Sequence, residues 1–385
     1  MDELIKWRRE FPILDKTVYL ISHSLGAMPR QTSERLMEYA DVWSTRGIRA
    51  WEEGWWEMPS KVGDLVGKII GAGAGEVVMH QNVSIAQSTI TSCFNWSKPP
   101  NKVVTEALNF TTNLYICHGL EKLGATISVV PSDDGMTTPL DRMLHAIDRE
   151  TRLVVVSHVA FLSSSVQDLQ AITERAHEVG AMVVADLYQS AGALPVDVRE
   201  IGVDFATGGS VKWLCGGPGA GYLYVRRDLW DRMEPTLTGW MAHEAPFAFE
   251  DGAIRYASTA FRFLNGTPNI PGMYAARSGY DIINTIGVEN IRQKSIAQTA
   301  KLIQLAEDAG FRVNSPLDPG SRGGTVVIDV PDAQAVTEEL LRRDFLVDFR
   351  PRAGIRISPH FYTKDEELEL IVREIKRIVE SRTHR

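Results

Sequence analysis

From Thr151 onward the chain alternates short apolar runs with amphipathic stretches. LVVVSHVA (153 to 160) is continuous and rich in β-branched residues, which predicts a strand buried on both faces. DLQAITERAHEVG (168 to 180) has apolar residues at helical spacing and stops at Gly180, a residue suited to the left-handed turn that closes helices. AMVVAD (181 to 186), DFATGGS (204 to 210) and GAGYLYV (219 to 225) read as three more strands. Strand and helix in alternation predict an α/β fold, with a mostly parallel sheet between helices. Upstream, GEVVMHQNVSIAQSTITSCF reads as a short strand turning into a helix near Asn82 to Ser84, and NKVVTEAL as another strand.

Past residue 272 the pattern changes to one long helical stretch ending near Gly310, then to GTVVIDV, an amphipathic helix at 332 to 343, FLVDFR, GIRIS and a last helix. A tail of this kind predicts a smaller α+β unit. At 385 residues the chain is too long for one ordinary core, so two units are expected: a large one over 16–272 and a small one over 273–385. The long helix would link them, with segment 1–15 packing on the small unit.

Composition is that of an average globular protein, 44% hydrophobic and 23% charged. A formal charge of −8 without a Lys/Arg block argues against nucleic acid or an anionic membrane as partner and favours a small molecule. No apolar run is long enough to span a bilayer, and Met1 to Glu10 lacks the pattern of a secretory signal, so a cytoplasmic protein is expected. Cys93, Cys117 and Cys215 are scattered, and the nine histidines show no ligand spacing; neither a disulfide nor a metal site is expected.

Residues 181 to 221 carry the strongest chemical signal. Asp186 ends one buried strand and Lys212 follows the next, at the rim where open α/β sheets bind ligands. For an arbitrary Asp and Lys the ordinary reading is a solvated sheet edge. Here Gly208, Gly209 and Ser210 precede the lysine and Gly216, Gly217 and Gly219 follow it, which suggests space for a bulky planar ligand. Pyridoxal 5'-phosphate needs this pair: an amine to form an imine, and a carboxylate to keep the ring nitrogen protonated.

Over some 340 residues the chain resembles the class V branch of fold-type I pyridoxal-phosphate enzymes, and within it kynureninases. The resemblance rests on collinear segments: ISHSLGAMPR, GIRAW, TLTGWMAHE, FRFLNGTP and GIRIS. It implies a seven-stranded large-domain sheet, Lys212 as the Schiff-base lysine and Asp186 as the partner of the ring nitrogen. It further implies that Val83 and Ser84 hold the phosphate at a helix start, where free N–H groups and the helix dipole favour an anion. Phe110 would stack on the ring, and Asn113 and Gln189 would stand beside it. Trp240 and Asn265 would line the cofactor and substrate, Thr267 would reach the phosphate of a neighbouring subunit, and Thr45 would lie on the substrate's aromatic side. Arg356 would clamp the substrate α-carboxylate, for which a planar guanidinium has the right geometry.

The resemblance has departures. Val211 stands where kynureninases have a tyrosine, Gln189 where they have a histidine, Asn113 where they have an aspartate, and Thr45 where animal members have a histidine. The expected activity is hydrolysis of the Cβ–Cγ bond of kynurenine or a related amino acid. The alternative is an aminotransferase, or a β-lyase or desulfurase-like activity, on another amino acid. A desulfurase is disfavoured because no cysteine follows residue 215 to carry a persulfide. GAGAG (71 to 75) lacks the spacing of a dinucleotide fingerprint. The fold also implies a homodimer with sites at the subunit interface. Trp43, Trp51, Trp55 and Trp56 are expected to be mainly helix packing.

Overall fold

The computed structural model describes residues 3–383. A seven-stranded sheet runs in the order Val77–His80, Gly221–Val225, Phe205–Gly209, Met182–Asp186, Thr151–Ser157, Lys102–Glu106, Thr126–Val130. Only Gly221–Val225 is antiparallel to its neighbours; the remaining pairings are parallel. The strand Thr126–Val130 lies at the sheet edge with exposed and half-buried residues, so it lacks the apolar run that marks the others.

The pleat explains why the central strands are apolar throughout. Val154, Val156, Val183 and Ala185 face one hydrophobic cluster, which includes Val66 and Ile70 of the helix Met58–Ile70 and Ile172 of Leu169–Glu178. Leu153, Val155 and Val184 face the other, against Ala86 and Ile90 of the helix Val83–Thr91. With both faces covered, alternation is lost and each strand reads as continuous hydrophobic sequence.

The long helix is two helices, Ile270–Ile286 and Val288–Asp308, broken at Gly287 with φ +83°. Tyr280, Ile283 and Ile291 pack into the large core, whereas Leu302 and Ile303 pack into the small one. We therefore place the division inside Val288–Asp308 rather than at 272. The small core lies on an antiparallel sheet ordered Asp348–Arg350, Gly354–Ile357, Val326–Asp329, Arg312–Val313. The helices Ala333–Arg342 and Asp365–Thr383 cover it. The start of the chain is fastened to the C-terminal region by Arg8, which forks onto Glu367 at 2.9 and 2.8 Å, and by Phe11 against Phe361 and Tyr362. Among the described residues no helix is long and apolar enough to cross a membrane.

Candidate active site

Strand ends and the starts of two helices converge on a cavity of about 210 Å³ lined by Val83, Ser84, Phe110, Asp186, Gln189 and Lys212, together with Asn82, Thr112, Ser157, Val159, Phe161 and Tyr188. Asp186 is 4% exposed, so its carboxylate depends on hydrogen bonds. Asn113 Nδ2 donates to Oδ2 at 2.6 Å, and the backbone N–H of Tyr188 donates to Oδ1 at 2.8 Å. Burial pushes this carboxyl above its ordinary range, while those two bonds and nearby Lys212 pull it back.

Lys212 sits on a loop held from both sides. Gly26 N–H donates to the Val211 carbonyl at 2.8 Å, and Cys215 N–H to the Lys212 carbonyl at 3.0 Å. Its Nζ lies 4.4 Å from the centre of the Tyr188 ring and 5.3 Å from that of Phe110. Burial lowers its pKa to about 8, against the attraction of Asp186 and with a push from Arg356. About a tenth of such an amine is unprotonated at pH 7, far more than of an ordinary lysine, and that is the state needed to attack an aldehyde.

The glycines around Lys212 make room for the protein's own side chains rather than for a ligand. A Cβ at Gly208 would collide with the Tyr222 hydroxyl, one at Gly209 with the Tyr188 hydroxyl, and one at Gly216 with Ser210. Only Gly217 of that set faces open space. The open space beside Lys212 is the cavity that Phe110 and Tyr188 line, and Phe110 stays 39% exposed at the start of the helix Thr111–Gly119. Its ring meets Phe161 edge-on at 5.2 Å.

On the opposite wall Asn82 caps the helix Val83–Thr91, its Oδ1 accepting from Ile85 N–H at 3.0 Å. The cap leaves the first-turn amides of Val83 and Ser84 to an anion. Gln189 is fixed away from free rotation: Nε2 donates to the His23 carbonyl at 3.1 Å and Oε1 accepts from Trp213 Nε1 at 2.8 Å.

Arg356 is buried, and its Nε and Nη2 form a fork on Asp348 at 2.8 and 2.6 Å. Its Nη1 donates to the carbonyl of Phe161, a wall residue of the cavity, at 2.7 Å. The guanidinium expected to meet a substrate thus already holds an internal carboxylate along one edge.

Four expected residues are not brought to this cavity. Trp240 and Thr267 line a separate opening of about 920 Å³ with Trp51, Trp56, Phe247 and Phe249. Asn265 lies beside that region, its carbonyl accepting from Met241 N–H. Thr45 is exposed on the helix Gln31–Arg46, its hydroxyl turned back to the Asp41 carbonyl at 2.7 Å. The tryptophans divide: Trp55 is buried against Tyr39, Trp51 and Trp56 line the opening, and Trp43 is 61% exposed.

Sequence reading missed Tyr188, Phe161, His23 and Asp348. Tyr188 had a signal, since it follows Asp186 by two residues at a strand end. His23 lies in ISHSLGAMPR, but nothing local ties it to Asp348, 325 positions away. Phe161 had no signal.

An amine of lowered pKa, a hydrogen-bonded carboxylate, two aromatic walls and a capped helix start are the donor set that pyridoxal 5'-phosphate requires. On this sheet order and this site the protein is a fold-type I pyridoxal-phosphate-dependent enzyme. Residues 18–344 match the family profile Aminotransferase class-V, and the chain belongs to that family. It is 31% identical to a kynureninase of Pseudomonas fluorescens, over 99% of this chain and 94% of that one. It is 33% identical to the uncharacterized aminotransferase YcbU of Bacillus subtilis, over 96% of each. In structure it is similar to the apo cysteine desulfurase of Thermococcus onnurineus NA1, with TM-score 0.86, 22% identity and 98% of each chain covered.

Proposed function

We propose that the enzyme hydrolyses the Cβ–Cγ bond of kynurenine or a close relative, water adding to the γ-carbonyl to give alanine and an aromatic acid. The observation that carries an amino-acid reaction is Lys212 and Asp186 lining one cavity, with the amine's pKa lowered to about 8. The near-full-length similarity to kynureninases supports the choice of bond.

Bound pyridoxal 5'-phosphate supplies an aldehyde and an electron sink. Lys212 would hold it, and its amine would take the proton from the substrate Cα. Asp186, itself held by Asn113, would keep the ring nitrogen protonated. Val83 and Ser84 would bind the phosphate, Phe110 and Tyr188 would flank the ring, and Gln189 would stand beside it. Arg356 takes the substrate α-carboxylate.

Trp240, Asn265, Thr267 and Thr45 lie outside the cavity of their own chain, and we assign them to the cavity of a second copy in a homodimer. Exposed aromatic surface supports this: Phe247 and Phe249 are 62% and 76% exposed, unusual for a monomer's outer face.

Transamination is the second reading, favoured by Val211 and by the similarity to YcbU. The test is incubation with kynurenine and 3-hydroxykynurenine, following alanine and the anthranilate. Their release supports hydrolysis; no turnover, with keto acid formed from another amino acid, overturns it.

A further inference from the structure

Arg356 has five N–H donors, and the structure accounts for three of them. Nε and one Nη2 hydrogen meet Asp348, and one Nη1 hydrogen meets the Phe161 carbonyl. What remains is one hydrogen on each terminal nitrogen; with Asp348 on the Nε edge, the one left on Nη2 faces the end of the guanidinium, where a carboxylate arriving along the arginine axis can accept it. Which edge is free therefore depends on where Asp348 is held.

Asp348 is held by His23. The imidazole is 1% exposed, and its Nε2 lies 2.9 Å from Asp348 Oδ1. Its Nδ1 lies 2.5 Å from Ser358 Oγ, and Ser358 Oγ lies 2.8 Å from Thr325 Oγ1. A bare Nε2 against a carboxylate would be repulsive, so Nε2 carries the hydrogen and Nδ1 accepts from Ser358. Burial and nearby Arg356 lower the His23 pKa to about 4, which leaves this neutral tautomer in place at neutrality. Arg350 Nη2 also approaches Asp348 Oδ2, at 3.0 Å, from a more exposed position.

The backbone of His23 reaches the other way, its carbonyl accepting from Gln189 in the wall of the Lys212 cavity. Asp348, Arg356 and Ser358 belong to the small unit's sheet region, Gln189 to the large unit. One residue thus ties the arginine's counter-ion to the wall beside the lysine.

We propose that His23 is a positioning residue: through Asp348 it fixes the end-on edge of Arg356 toward the cavity and so sets selection for substrates bearing an α-carboxylate. This rests on the assignment of Arg356 to that carboxylate. The test titrates the cofactor band of the holoenzyme with L-alanine and with L-alanine methyl ester, which keeps the amine and lacks the charge. In His23→Ala the dissociation constant for alanine should rise about tenfold, as for loss of a hydrogen bond to a charged group, with the ester unchanged. His23→Gln, whose amide nitrogen can stand where Nε2 does and donate to Asp348, should recover part of the loss. Ser358→Ala, which loosens the imidazole without emptying its place, should show the same selectivity change at smaller size, and it serves if His23→Ala fails to hold cofactor. Equal shifts for both ligands, or none, would overturn the role of His23 provided that Arg356→Lys abolishes the preference for alanine. If Arg356→Lys keeps that preference, the carboxylate assignment falls and the proposal falls with it.

Discussion

Asn113 gives an amide N–H to Asp186 at 2.6 Å, and the same nitrogen lies 2.7 Å from Asn109 Oδ1. The carboxylate at the base of the cavity is therefore held by a group that only donates at that contact. An aspartate at 113 would place two carboxyls in hydrogen-bond contact, and such a pair cannot hold two full negative charges. Asn113→Asp should then weaken pyridoxal-phosphate affinity by about tenfold, the scale of one pKa unit of lost anion at Asp186. Equilibrium dialysis of the apoenzyme with the cofactor measures it. Unchanged affinity would mean that the anion at Asp186 does not depend on its neighbour.

Lys212 supplies a pH prediction. Its amine is freed near pH 8, well below the ordinary 10.5 of a lysine, because burial disfavours the ammonium. Covalent capture of pyridoxal phosphate by the apoenzyme should accelerate through about pH 8 and level off above it. Lys212→Ala should leave no cofactor attached after borohydride reduction. A rate still climbing toward pH 10 would contradict the lowered pKa.

Glu106 ends the strand beside Thr151–Ser157, wholly buried, its Oε1 accepting from Ser157 N–H at 2.9 Å. Burial pushes its pKa from 4.5 up to about 8. Between those values the folded protein keeps a proton that the unfolded chain has shed, so stability from this group declines as pH rises from about 5 to 8. Glu106→Gln should flatten that decline, visible in urea midpoints across the window. A slope equal to that of the unmodified protein would rule out Glu106 as its source.

Gly26 lies against the Lys212 loop so closely that a Cβ would run into the Lys212 carbonyl oxygen. A backbone atom cannot swing aside as a side chain can, so Gly26→Ala should destabilise by about 1–3 kcal/mol. The same shift should lower cofactor affinity by displacing Lys212. Thermal unfolding and cofactor binding together check it, and an unaffected protein would show that the loop yields freely.

The sequence by itself determined the large sheet's central strands, because burial on both faces forces continuous β-branched runs, as at 153 to 156 and 182 to 185. It also singled out Asp186 and Lys212, since strand ends in such sheets are where ligands bind. It did not reveal the edge strand Thr126–Val130, whose residues are half-exposed, or the break at Gly287, where apolar spacing continues across two helices. Nor could it show that the glycines beside Lys212 make room for tyrosines. Those spaces are filled by Tyr222 and Tyr188, which come from other strands or strand ends. Tertiary structure alone decided that Arg356 is already engaged by Asp348, that His23 holds Asp348, and that Trp240 and Thr267 open onto a different cavity from Lys212. Local patterns record which face of an element is buried. Which distant side chains share a charge or a hydrogen bond is set only when the chain folds back on itself.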